Sequence, residues 1–352
     1  MARPSVGVVV LNWNNLTDTL ECLGSVAKSS YRDTWVVLVD NGSAEDPSLA
    51  VGAQYPEVLV LRQPQNLGYS GGNNAGVVWL LEKGVDYVLL LNNDAIVEAG
   101  MIEELVYVAE RNPDAGFVTP RIFIHGTNEV YWGGGTVDWL TGETSHDGSV
   151  LVGRDGALES GWSNGCAPLI RSETIHEIGL MDSDLFLYCE DVDWSARASK
   201  AGWQHLVAVN ATCWHKVSRS SIGVAIRYYL TRNRYRVLVR HSPKYKSFLG
   251  VPRYGIRVLV DYHRAKAEVA GRRAVLQGAL DLVQGRWGER QHRSSVFLAV
   301  CDVIIYPLAI VNSVVLRALN LVRRLKPLLP AIERRPIGAS ESDRRSHDAR
   351  QQ

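Results

Sequence analysis

The chain has 352 residues, 46% hydrophobic and 21% charged, the balance of a folded protein with room for one large domain and a smaller one. Its five cysteines are odd in number and far apart, with no CxxC pair, which argues against a disulfide framework or a zinc site and for reduced thiols in a cytosolic setting. The net charge of +1 conceals a split. Residues 1–215 hold 11 lysines and arginines against 28 acids, a balance of −17, whereas residues 216–352 hold 27 against 9, a balance of +18. Such asymmetry suggests a polyanionic partner for the second half: nucleic acid, an anionic membrane or a lipid diphosphate.

The first apolar run, Val6–Leu11, is too brief for a signal-peptide core and is expected to be a strand. Further strands are expected at Trp35–Val39, Val58–Leu61 and Tyr87–Leu91, with a helix over Thr17–Ser29 from the recurrence of Leu16, Leu20, Leu23 and Val26. Strands alternating with helices predict an α/β fold with a mostly parallel central sheet. A polar cluster follows each of three strands: Asn12-Trp13-Asn14, Asp40-Asn41-Gly42-Ser43 and Asn92-Asn93-Asp94. All three are expected on one edge of the sheet, where open α/β sheets bind ligands.

From about residue 116 glycine- and tryptophan-rich segments suggest loops and short strands walling a pocket. Helical periodicity returns over Glu190–Gly202, with Gly202 as the stop, and a strand at His205–Val209 leads to Cys213-Trp214-His215. Beyond residue 222 the chain reads as helical and basic, and Glu333 to Gln352 as disordered. Val296–Leu316 is almost long enough to span a bilayer, but its stripe of Asp302, Tyr306, Asn312 and Asn320 favours a helix lying on the membrane over a packed soluble helix or a true span. The expected units are therefore 1–222, a basic helical and membrane-associated 223–332, and a tail, 333–352.

Asp94 is a candidate ligand for a hard divalent cation, although an Asp after a strand is also a common turn former. The glycine-rich stretch Asn66 to Gly76 is expected to be a loop leading into a helix, a plain turn or a place where backbone amides approach a phosphate. It is neither a G-x-G-x-x-G fingerprint nor a P-loop. Asp193, four residues before Arg197, is expected to form an exposed ion pair. Trp132, Trp162 and Trp194 offer sugar-stacking faces, with core packing the commoner role for any one of them.

Taken together, Val8-Val-Val-Leu-Asn-Trp-Asn14, Val39-Asp40-Asn-Gly-Ser43, Asn66-x-Gly68-x-x-x-Gly72-x-Asn74-x-Gly76, Leu90-Leu-Asn-Asn-Asp94, Glu190-Asp191-Val-Asp193-Trp194 and Trp214-His215-Lys216 closely resemble the family 2 glycosyltransferases, especially bacterial rhamnosyltransferase-like members. The resemblance covers roughly residues 5–220. It implies a GT-A nucleotide-sugar-binding fold and an inverting transfer from a nucleoside-diphosphate sugar. It further implies a Mg2+ or Mn2+ ion held by Asp94 and His215, and a donor site drawn from Asn12, Asn14, Asp40, Asn41, Asn66, Gly68, Gly72, Asn74, Asn92 and Asn93. Asp191 would be the catalytic base with Glu190 beside it, and Trp132, Asn164, Gly165 and Trp194 would lie on the acceptor side. Asn92 stands where the commonest family pattern has a first carboxylate, leaving Asp94 as the one acidic contact there. With the basic second half, the resemblance suggests a polyprenyl-diphosphate-linked glycan acceptor at the cytoplasmic face of the cell membrane, in surface polysaccharide assembly. A sugar nucleotidyltransferase would be expected to carry a glycine-rich N-terminal loop with Arg and Lys, and Asn12-Trp13-Asn14-Asn15 offers neither. A non-catalytic membrane- or polysaccharide-binding protein of the same fold is a further alternative, and no nucleic-acid-binding signature is present.

Overall fold

Four apolar runs become strands: Val6–Asn12 (β1), Thr34–Asp40 (β2), Leu59–Arg62 (β3) and Tyr87–Asn92 (β4). In this computed structural model, residues 3–146, 156–216, 222–243, 254–262, 265 and 268–291 are described. The chain continues through Ala95–Val97 (β5), Ala115–Ile124 (β6), Val130–Trp132 (β7), Val137–Asp138 (β8), Glu143–Thr144 (β9), Ala157–Ser160 (β10), Leu169–Arg171 (β11) and Gln204–His215 (β12). The main sheet has the order β10-β12-β6-β11-β4-β1-β2-β3. Pairing is parallel from β4 to β3 and between β6 and β12, while β11 is antiparallel to both of its neighbours. Strands β3, β2, β1, β4, β6 and β12 therefore all run the same way, and their carboxyl ends form one edge.

Helices cover both faces. Val6, Val8 and Val10 of β1 join a core with Cys22 and Leu23 of Leu16–Ala27 (α1) and Leu105 of Met101–Arg111 (α4). Val9, one position out of phase, joins a second core with Val77 and Leu80 of Gly68–Glu82 (α3) and Trp194 of Glu190–Ala201 (α6). The period-two alternation thus sorts a single strand between two layers. Gly202 ends α6 in the left-handed conformation (φ 99°), the stop read from the sequence.

Two expectations change. The stretch Asn66 to Gly76 is not a loop, because the helix begins at Gly68, and its later glycines are packing positions. A Cβ at Gly72 would lie 2.5 Å from Leu11 Cδ1, and one at Gly76 2.6 Å from Val9 Cγ1, so α3 lies closer to β1 than any side chain there would permit. The ten-residue β6 falls where short strands and loops were expected, its pattern interrupted by Pro120. That proline sits at a bulge, where the register with β12 jumps from Ala208 to Thr212 and one fewer ladder donor is needed.

Ile222–His241 (α7) and Val269–Val283 (α8) follow, with a helix over residues 254–262 between them. Val237 of α7 belongs to the same core as β1. Among the described residues no helix is long and apolar enough to cross a membrane, and Val296–Leu316 lies outside them.

Gly68 (φ +74°) and Gly84 (φ +73°) both take left-handed backbone, but only Gly68 is also confined, with a Cβ there 2.3 Å from Phe186 O and nothing within 4 Å of one at Gly84. Gly84→Ala should therefore cost about 1 kcal/mol from backbone conformation alone. Gly68→Ala should cost about 2 kcal/mol more, because a carbonyl must move. Denaturant unfolding of the two variants measures the difference, and equal losses would contradict the packing described.

Candidate functional site

Register places the polar strand ends together: Asn12 pairs with Asp40, Asp40 with Arg62, and Leu11 with Asn92. The chain then turns through Asn93-Asp94 into β5, which pairs antiparallel with the last residues of β12, Ala95 opposite His215. Lys216 N–H donates to the Asp94 carbonyl at 3.0 Å and fastens this turn. The consequence is a contact between residues 121 positions apart, with His215 Nε2 2.9 Å from Asp94 Oδ1. Burial opposes a charged imidazole, but its neighbours Cys166 and the hydrogen-bonded Asp94 carboxylate raise the His215 pKa to about 9.

This pair tests the fit of a divalent ion. Two ligands at adjacent corners of an octahedron with bonds of about 2.1 Å lie about 3 Å apart, close to the observed separation. His215 Nδ1 is buried without a hydrogen-bond partner, so Nε2 is the nitrogen facing the carboxylate. One imidazole and one carboxylate suit manganese or magnesium completed by phosphate oxygens. Among the described residues no group of three His, Cys, Asp or Glu side chains forms a self-sufficient metal cage.

A cleft of about 560 Å³ opens at this edge, lined by Asn92, Asp94 and His215 on one side and by Asn164, Gly165, Glu190 and Asp191 on another. Glu190 and Asp191 occupy the first turn of α6, where the helix end favours negative charge. Asp191 Oδ1 accepts from Val192 N at 2.8 Å and Oδ2 from Gly165 N at 3.2 Å, which aims the carboxylate along the cleft wall. Burial nonetheless pushes Asp191 up to about 6. Glu190 rises further, through burial and then the charge of Asp191, and its Oε2 is buried without a partner.

Most of the expected donor-side residues are placed at the same edge, but several spend their side chains on the fold. Asn12 Nδ2 donates to Asp40 Oδ1 at 2.9 Å, and Asn12 Oδ1 accepts from Thr19 Oγ1. Asp40 is fully buried, and its Oδ2 has no hydrogen bond, with Arg62 Nε at 3.5 Å. Asn14 accepts from Ala44 N, and Asn41 bridges Asn66 Oδ1, the Gly68 carbonyl and the Leu67 amide. Asn74 exchanges two hydrogen bonds with the Met181 backbone, and Asn93 turns away to Thr19. Of the acceptor-side residues, Asn164 and Gly165 line the cleft. Trp132 and Trp194 do not: Trp132 is packed edge-on against Trp162, and Trp194 donates to Gly179 O within the second core. An indole fills a core void more effectively than a sugar platform when both faces are covered.

Tyr69, Tyr131, Trp139, Tyr188 and Arg234 also line the cleft and were not singled out from the sequence. Tyr69 hydroxyl donates to Gly165 O, tying α3 to the loop that carries the Asp191 hydrogen bond. Single tyrosines outside any motif carry no signal of this kind, whereas Arg234 lay within a run read only as basic.

A mostly parallel sheet with polar strand ends, a carboxylate-imidazole pair and a second pair of acids across one cleft defines a GT-A nucleotide-sugar fold. Residues 7–157 match the description "Glycosyl transferase family 2". That stretch is a family 2 glycosyltransferase domain, and the chain is similar to rhamnosyltransferase-like proteins. It is 29% identical over 224 residues to an N-acetylglucosaminyl-diphospho-decaprenol L-rhamnosyltransferase of Mycobacterium tuberculosis, an alignment spanning 56% of this chain and 72% of the relative. It is 27% identical over 169 residues to the low-salt glycan biosynthesis hexosyltransferase Agl10 of Haloferax volcanii, spanning 47% and 53% of the two chains. Among solved structures, GalNAc-T7 with UDP, GalNAc and Mn2+ superposes with a TM-score of 0.56 at 17% identity, covering 76% of this chain and 51% of that one. The mannosyltransferase PcManGT from Pyrobaculum calidifontis, with GDP-Man and Mn2+, superposes at 0.53 and 13% identity, covering 81% and 89%.

The helix bearing Asp191 is anchored on its far side. The expected pair of Asp193 with Arg197 forms at 3.0 Å, but Asp193 is fully buried and also meets Arg240 at 2.9 Å and His241 at 2.8 Å. Burial alone would raise its pKa, and His241, Arg197 and Arg240 outweigh that and hold it at about 2. Because the folded value lies below the ordinary 3.8, this stabilisation is complete above pH 3.8 and is lost as the pH falls towards about 2. Asp193→Ala should cost about 3 kcal/mol at neutral pH and should flatten the acid side of the stability profile over that window. Urea unfolding between pH 2 and 7 measures both, and a loss independent of pH would contradict the account.

Proposed function

We propose that the protein transfers a sugar, with inversion, from a nucleoside-diphosphate donor to a saccharide carried on a polyprenyl diphosphate. Support comes from one observation above all: the Asp94–His215 pair and the Asp191 carboxylate line the same cleft. A rhamnosyl donor is favoured by the similarity to the mycobacterial rhamnosyltransferase, and a dTDP or UDP carrier by the motif resemblance. The lipid-linked acceptor is inferred from the same relative's name, which specifies a diphospho-decaprenol.

Donor would enter at the carboxyl edge of β1, β2 and β4, with the nucleoside towards Asp40, whose Oδ2 lies 3.5 Å from Arg62 Nε. Asp94 and His215 would hold Mg2+ or Mn2+ against the diphosphate, and the ion when bound supplies charge neutralisation for the departing phosphate. Asp191 takes the proton from the acceptor hydroxyl as that oxygen forms its bond to the anomeric carbon and the bond from that carbon to the phosphate oxygen breaks. Glu190, buried beside Asp191, makes ionising both acids at once costly. We further propose that the protein works at the inner face of the cell membrane, where such an acceptor would be found. Attachment there must draw on cations other than Arg236 and Arg240, which are paired internally.

Purified protein should release nucleoside diphosphate from at least one of a panel of dTDP-, UDP- and GDP-sugars when Mn2+ or Mg2+ and membrane lipid extract are supplied. Silence with every donor would reject the reading. Asp191→Asn should lower turnover by about 10²- to 10⁴-fold with donor binding unchanged. The base must be ionised, so wild-type turnover should fall below about pH 6 rather than in the ordinary carboxylate range. Full turnover by Asp191→Asn would remove that residue from the chemistry while leaving the enzyme class intact.

A further inference from the structure

The run Arg227 to Arg236 looks from sequence like a cationic surface, yet Arg232 and Asn233 within it are entirely buried. They face the stretch between the short 3-10 turn Ser183–Leu185 and the start of α6. That stretch is unusual in its backbone. Phe186 (φ 64°), Tyr188 (φ 66°) and Cys189 (φ 71°) all take left-handed conformations that side-chain-bearing residues avoid, and Glu190 and Asp191 follow immediately. Nothing in the local sequence, which contains no glycine between Gly179 and Gly202, favours such a path.

The path is held from outside. Asn233 Nδ2 donates to the carbonyls of Leu185 at 2.8 Å, Leu187 at 2.9 Å and Tyr188 at 2.9 Å. Arg232 orients that amide, its Nε donating to Asn233 Oδ1 at 2.9 Å, and adds its own contacts to Leu185 O at 3.0 Å and Asp184 O at 3.3 Å. The curled segment in turn docks on the donor side, because Phe186 O accepts from Tyr69 N at 2.6 Å. Leu187 N also donates to Leu185 O at 2.7 Å, so it is the Leu187 and Tyr188 carbonyls that rely on Asn233.

We propose that Asn233 is a positioning residue for the transfer reaction: by gathering three carbonyls it imposes the left-handed path that delivers Asp191 to the cleft wall, with Arg232 holding its amide in place. The proposal rests on Asp191 being the base. Asn233 is not among the residues that line the cleft, and its removal should act on turnover and spare donor capture. A displacement of about 1 Å at the reacting carboxylate is enough for a roughly 100-fold loss.

Asn233→Ala should lower kcat for nucleoside diphosphate release about 100-fold while the donor KM stays within about two-fold. In the same variant, hydrogen exchange should accelerate at the amides of residues 185–190 and remain unchanged in β1 and β4. Cys189→Gly, which accepts positive φ unaided, should restore turnover at least about ten-fold when combined with Asn233→Ala. A general loss of stability would not be relieved by adding a glycine. Should Asn233→Ala fail to fold, Asn233→Ser keeps one donor and should give a smaller kcat loss with the same local exchange signature. The proposal is overturned by a folded Asn233→Ala with kcat within about three-fold of the parent, or by unchanged exchange over residues 185–190. The exchange measurement needs no substrate, so a wild-type protein silent with every donor would reject the functional reading without deciding this one.

Discussion

Everything at the cleft follows from the antiparallel pairing of three residues, Ala95 to Val97, with the last turn of a long strand, Cys213 to His215. A buried parallel strand such as β4 ends in water and leaves whatever follows it free to wander. Here the chain is caught at once by β12, which itself runs beside β6 near one end of the sheet. The turn that results points a carboxylate at an imidazole delivered from the other end of the domain. Six strands running the same way supply the edge, and this one short pairing gives the edge its chemistry.

A second constraint acts from the opposite wall. Arginines 232, 236 and 240 share one helix face, and each is directed at the segment 182–193 that bears the acids. The basic character of this stretch is thus used largely inside the molecule. Charges of this kind hold geometry at the cost of desolvation, and buried pairs are retained where a unique arrangement matters more than net stability.

Much of this was legible in the sequence. Continuous valine and leucine runs identified β1, β2 and β4, because burial on both faces leaves no other composition, and the polar residues after each run marked the edge. Asp94 was marked by its place after a strand, His215 and Asp191 by motif resemblance, and each lies on the cleft. What escaped was information held by contacts distant in sequence. The helix at Gly68 looked like a loop because its glycines serve a neighbouring strand, not the local backbone. Trp132 and Trp194 looked available for sugar because exposure cannot be read from residue type. Arg232 and Asn233 looked like surface charge because their partners are main-chain carbonyls some 45 residues earlier, a relation that leaves no local pattern.

We propose that Asp94 and His215 form half of a metal site that the donor completes. With a single carboxylate and one neutral ligand, the protein alone should hold Mn2+ weakly, and phosphate oxygens should supply the rest. Titrating Mn2+ into the protein with and without UDP or dTDP, followed by the loss of the free-ion paramagnetic resonance signal, measures this without any turnover. Binding that tightens at least about ten-fold with the nucleotide, and is lost in both Asp94→Ala and His215→Ala, is the predicted result. Binding indifferent to the nucleotide, or surviving both substitutions, would contradict it.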